Sequence, residues 1–181
     1  MRLIANNRIG IFLLLFGIAL LSSCSEKKPI AITADHFHQA VDKVTTIMVH
    51  DIFSPPVASR IYAYPNIAAY EMIAVQDSTY KNMAGVLRGL SPIPAPSNDG
   101  VNVQLAALIA HMDVSRTLIF SEDKMISYRD SLYGIWKNSN PEEFEASKEY
   151  GLQVSDHIQQ WYDGDLYKQT RTMPKFTVDT D

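Results

Sequence analysis

Only one cysteine occurs among the 181 residues, at position 24, so no disulfide can close within a monomer. Basic residues are in the minority, 16 Lys+Arg against 20 Asp+Glu, for a formal charge of −4, and they form no stripe. The chain therefore lacks the electrostatic footprint of a nucleic-acid binder. Strict alternation of apolar and polar residues, the mark of half-buried strands, is missing throughout. So are a phosphate-cradling glycine loop, a serine elbow and a His/Cys cluster of zinc type. The longest apolar run, "IGIFLLLFGIALL" at residues 9–21, falls short of the roughly 20 residues that a membrane span needs. What is present is ordinary for one globular domain: 46% apolar and 20% charged residues, which argues against disorder as the dominant state.

The apolar run, preceded by Arg2 and Arg8 and ending in "LSSC", reads as an export leader. It resembles a bacterial lipoprotein lipobox, which implies cleavage before Cys24 and lipid on its sulfur; an ordinary signal peptide with an incidental cysteine is the plainer alternative. Two or more acyl chains would anchor the chain stably, since each buried methylene contributes about 0.8 kcal/mol. The expected organisation is a leader at 1–23, a polar, mobile tether at 24–34, a helical domain at 35–165, and an irregular tail at 166–181 that reads as truncated. Export and lipid anchoring to the cell envelope follow, with the membrane as one partner. Without Arg2 and Arg8 the net charge is two units more negative still.

Every strong periodicity after the tether is helical. From Asp35, residues Phe37, Val41, Val44 and Met48 recur in steps of three and four, with Thr33 or Asp35 as the cap. A second helix opens at Ser54-Pro55-Pro56, where prolines in the first turn sacrifice no hydrogen bond. Inside it, Pro65 removes one bond and clashes with the preceding turn, at about 3 kcal/mol. A kink near Ile61–Pro65, or two helices end to end, is expected. Alanines at 58, 63, 68, 69 and 74 would let another helix approach closely. Prolines 92, 94 and 96 stiffen a long surface connector. A third helix spans about Val101 to Ile119, and a fourth is capped by Ser121 with a stripe of Met125, Tyr128, Leu132 and Trp136. A fifth opens at Asn140-Pro141 with Glu143 closing a capping box, and runs through Phe144, Gly151, Val154, Ile158 and Trp161 to "DGD". The fold class is all-α, a bundle of five to six helices.

Chemistry is harder to find. His36 and His38 lie two apart and point to different sides of a helix, so a shared metal is not supported. His50 sits where a cation can meet the last carbonyls of a helix. His111 and His157 fall near apolar faces, where a core histidine serves as well as a functional one. Glu71 and Arg60, eleven apart, share a face of an uninterrupted helix; an interior ion pair would be weak testimony to function. No catalytic, cofactor-binding or metal-binding residue is assigned, and the one site expected is lipidation at Cys24.

The runs "MVHDIFSPPVASRIYAYPNIAAYE", "YKNMAGVLRGL" and "NPEEFEASKEYGLQVSDHIQQW" together resemble the N-terminal helical part of bacterial vanadium-dependent haloperoxidases, of the superfamily shared with type-2 phosphatidic acid phosphatases. The resemblance covers roughly residues 35 to 176, and its most specific block is Ser54 to Tyr64. It implies chemistry housed in three later motifs, Lys-x6-Arg-Pro, Pro-Ser-Gly-His and Ser-Arg-x5-His-x3-Asp. In these, cations neutralise a vanadate or phosphate and a histidine bonds its central atom. This sequence departs from all three. Lys81 and Arg88 have the first spacing, but Gly89 stands in place of proline; "PSND" at Pro96 is not the second; Ser59-Arg60 and Ser115-Arg116 lack the histidine of the third. No catalytic residue carries over, and the proline-flanked stretch reads as framework. Two functions are expected. One is the helical scaffold of a lipid-anchored haloperoxidase or acid-phosphatase-like enzyme, whose vanadate would be held by a missing C-terminal half, so that the chain alone is inactive. The other is a free-standing helical lipoprotein that binds a protein partner at the membrane.

Overall fold

The structure, a computed structural model, describes residues 27–174. The leader and Cys24 lie outside the described residues, as does the end of the tail. Among the described residues there are six helices and no strand: α1 Ala34–His50, α2 Pro55–Gln76, α3 Val103–Leu118, α4 Glu122–Ser139, α5 Pro141–Asp163 and α6 Tyr167–Thr170. None is long and apolar enough to cross a membrane.

The bundle is organised around α3. Every residue from Leu105 to Ser115 is buried, so this helix is apolar on all sides because it is covered on all sides. It packs most extensively on α5 and α2, and more lightly on α4 and α1. Each fully buried Leu, Ile or Met on it contributes roughly 1.5–3 kcal/mol relative to exposure. The α3–α5 crossing depends on Gly151, where an added Cβ would lie 2.7 Å from the Ala106 carbonyl oxygen and 3.0 Å from Ile109.

Local signals place the helix ends. Asn140 Oδ1 accepts from Glu143 N–H and its amide donates to the Glu143 carboxylate, closing the expected start of α5. Thr33 begins α1, with the His36 ring reaching back to its backbone N–H and hydroxyl. Asn102 caps α3 through Leu105 N–H. Ser121 behaves differently: its hydroxyl does not cap α4 but donates to Asp51, whose other oxygen accepts the Phe120 and Ser121 N–H groups. Burial works against that carboxylate's charge, but these bonds outweigh it and hold its pKa below 3.8. A residue at the end of α1 thus satisfies the start of α4.

Long-range packing decides what spacing left open. Of the two alternatives at Pro65, the structure has one helix from Pro55 to Gln76 and not two end to end. Pro65 is buried between buried Tyr64 and Ala68 on the face toward the core, and tertiary packing holds the helix together there. The tether, from Lys27 onward, is tied down. Ile30 is 5% exposed; its N–H donates to Glu143 and its carbonyl accepts from Asn102. The tail's first residues are held without periodicity, chiefly by Tyr167, which is buried with its ring in edge contact with Tyr64 and Tyr162 and its hydroxyl on the Leu118 carbonyl at 2.7 Å, and also by Arg171 on that same carbonyl. The connector follows the surface as expected, with Leu90 and Ile93 turned inward.

Candidate functional site

The histidines do not converge. His36 is occupied at the α1 start, His157 Nε2 meets the Ser91 carbonyl at 3.0 Å, and among the described residues no group of three His, Cys, Asp or Glu is placed to hold a metal. His111 is the exception in kind. It is 2% exposed on α3, tilted against the Phe37 ring at 4.8 Å, and its Nδ1 has no partner among the described residues. Burial lowers its pKa to about 4, so the imidazole is neutral at physiological pH.

Arg60 and Glu71 do not pair. Glu71 turns into the core, where Oε1 accepts from Met83 N–H at 2.7 Å and anchors the connector. Arg60 turns to the opposite end, donating to the Thr170 hydroxyl at 3.1 Å, with Asp165 at 3.7 Å. Tyr64 donates to the same Asp165. Burial, and then Asp165, raise the pKa of that phenol above its ordinary value, so it stays protonated. Lys81 and Arg88 contribute through their backbone: the Lys81 carbonyl accepts from Tyr70 and the Arg88 carbonyl from Trp161.

The densest polar cluster was not singled out from sequence. Asp113 on α3 is 2% exposed. One oxygen accepts from Arg116 at 2.6 Å and faces Arg129 at 3.4 Å; the other accepts from Ser155 on α5 at 2.9 Å. Arg116 also reaches Glu122. Burial disfavours its charge, but Asp113 and Glu122 outweigh that and raise its pKa. The signal in the sequence was a single carboxylate in an otherwise apolar helix, three residues before an arginine. The arrangement clamps α3, α4 and α5, with both guanidinium groups already facing carboxylates.

Two depressions flank α2. At the end where Pro174 lies, Ile52, Phe53, Pro56, Arg60, Phe120 and Arg171 surround about 280 Å³. Phe53 and Phe120 stack there at 4.7 Å, with Arg171 over the Phe120 ring. At the other end of α2, an apolar groove of about 510 Å³ is walled by Phe37 of α1, Ala69 and Ile73 of α2, and Ala107 and Leu108 of α3.

The class defined by these features is an all-helical bundle in which Arg60, Arg116 and Arg129 serve as structural clamps. The comparison with known proteins makes it specific. Over 85% of its length the chain is 57% identical to a bacterial vanadium-dependent iodoperoxidase of known crystal structure, with a TM-score of 0.80. The chain is a relative of the bacterial vanadium-dependent haloperoxidases and shares their helical fold. It spans 37% of that iodoperoxidase chain. No family model and no curated protein matches it.

The relative's vanadium dependence poses a test of fit. A vanadate site needs several free cationic donors and a histidine directed at one centre. The Asp113 cluster has two arginines, but a carboxylate occupies the point where they meet. The depression beside Pro174 has Arg60 and Arg171, but no histidine or lysine among its lining residues. The described residues do not fit the group.

Proposed function

We propose that this chain is the helical scaffold of a lipid-anchored, vanadium-dependent haloperoxidase or acid-phosphatase-like protein, and that the residues that hold the oxyanion are supplied by sequence outside it. The observation that carries the reading is the 57% identity to a vanadium-dependent iodoperoxidase over only 37% of that protein's length. The engagement of Arg116 and Arg129 with Asp113 supports it, because oxyanion catalysis needs preorganised donors that are free to meet developing charge. The scaffold ties the end of α1 to the start of α4 through Asp51, and α3, α4 and α5 to one another through Asp113. Cys24 carries the lipid after export, so the protein sits on the cell envelope, and Cys24→Ser releases it from membranes.

The test is direct. Purified chain given vanadate, peroxide and iodide or bromide halogenates nothing above background, and it hydrolyses no phosphomonoester. Turnover that His111→Ala or His157→Ala removes would place a site inside the bundle and overturn the proposal. The second reading, a free-standing helical lipoprotein that binds a protein partner, is favoured by one observation, the open apolar groove.

A further inference from the structure

The outward face of α2 is unlike a finished protein surface. Ser59, Tyr62 and Ala63 are exposed and Asn66, Tyr70 and Ile73 half-buried, all on one stripe at helical spacing. None is charged. Between Arg60 and Asp77 the sole charged residue is Glu71, and it points into the core. Depletion of charge across a contiguous face is the compositional mark of an interface core, and open apolar patches of this kind mark interaction sites.

The stripe leads somewhere at both ends. At the start of α2 it meets the depression that contains Met173 and Pro174, the last described residues. Ile52 lies there too, 83% exposed and with φ of 57°. A β-branched residue in the left-handed region is strained, and within this chain its side chain covers little in return. Such strain gathers where another surface is engaged. At the far end the stripe runs into the apolar groove between α1, α2 and α3, which is shaped to take large apolar side chains.

We infer that this stripe and groove seat a helix from the part of the haloperoxidase fold that the chain does not span, an inference that rests on the scaffold reading above. One observation selects this occupant: the chain spans 37% of the related iodoperoxidase, so most of that protein lies outside the matched region and is available to supply the helix. The seated helix presents an apolar, uncharged face with large side chains toward the groove, the helix-in-groove mode of recognition.

The experiment co-expresses the tagged full chain with the portion of the related iodoperoxidase outside the matched region, and measures co-purification and affinity. The two are expected to co-purify one to one. Asn66→Lys and Ala63→Glu should each weaken the pair by at least about tenfold, the effect of an unpaired charge in an interface core, while leaving the melting curve of the chain alone unchanged. Ile135→Lys, at an exposed apolar position on α4, should leave the pair intact. A pair that forms but tolerates both α2 charges overturns the inference and leaves the scaffold reading standing. Self-association of the wild-type chain that Asn66→Lys abolishes also overturns it, by making the occupant a second copy. Failure of the wild-type pair to form at all contradicts the scaffold reading and the inference together.

Discussion

Helices α2 and α3 are alike in composition and opposite in situation. Both are predominantly apolar, and each carries one fully or nearly buried carboxylate, Glu71 and Asp113. Around α3 the apolar surface is used up by α1, α2, α4 and α5. Around α2 it is used up on one side only, and the other side presents Tyr62, Ala63, Asn66 and Ile73. Apolar content shows how much surface a helix can bury. The neighbours decide how much it does bury within one chain.

If α3 is the consolidated region, changes there should be costly, and the largest effect belongs to Asp113. Asp113→Ala removes the buried carboxylate shared by Arg116, Arg129 and Ser155, leaving Arg116 with Glu122 and Arg129 with Asp130. The loss therefore falls at the low end of the range of about 3–5 kcal/mol for breaking a buried pair. Urea unfolding should show that loss; a change under about 1 kcal/mol would mean that the clamp contributes little.

The next effect is one of pH. The His111 pKa is 6.5 ordinarily and about 4 when folded, so between these values the unfolded chain binds a proton that the folded chain refuses. Stability is complete above pH 6.5, falls as the pH drops through the window, and levels off below about pH 4. At 1.36 kcal/mol per unit the loss is roughly 3 kcal/mol. His111→Leu should flatten the stability profile between pH 6.5 and 4, and a slope that persists unchanged would assign it to other groups. Asp51, whose carboxyl is held below 3.8, adds its own loss only as the pH falls below that value.

Gly151→Ala comes third. Its methyl group would meet Ala106 and Ile109, and overpacking of this sort costs about 1–3 kcal/mol. A variant as stable as the parent would show that α3 and α5 can separate freely. Smallest is Asn66→Lys on the open face of α2, which should change the stability of the isolated chain by no more than about 0.5 kcal/mol. A larger destabilisation would show that this face is already covered, and the contrast between the two helices would collapse.

Much of the fold was legible because helix starts are local. Asn140-Pro141 with Glu143, and Ser54 before two prolines, announce themselves over four residues. Pro65 left a kinked helix and two helices both open because a propensity penalty counts one residue, whereas the packing of Tyr64, Pro65 and Ala68 is a tertiary matter. The tie at Ile30 and the role of Tyr167 depend on partners far along the chain, and no pattern of spacing reports such contacts. Of the candidate site, spacing alone offered fragments: Lys81 and Arg88 have the Lys-x6-Arg separation without the proline, and Ser115-Arg116 has the dipeptide without the histidine. The structure engages Arg116 with Asp113 and uses Lys81 and Arg88 through their carbonyls.

The central claim is that this chain supplies framework to vanadate chemistry and holds no vanadate itself. It is tested most directly by titrating orthovanadate into the purified chain and following the vanadium NMR signal. The free-vanadate line should keep its position and width at every protein concentration. A saturable protein-bound signal, lost in Arg60→Ala or Arg171→Ala, would contradict the claim and place an oxyanion site at the depression beside Pro174.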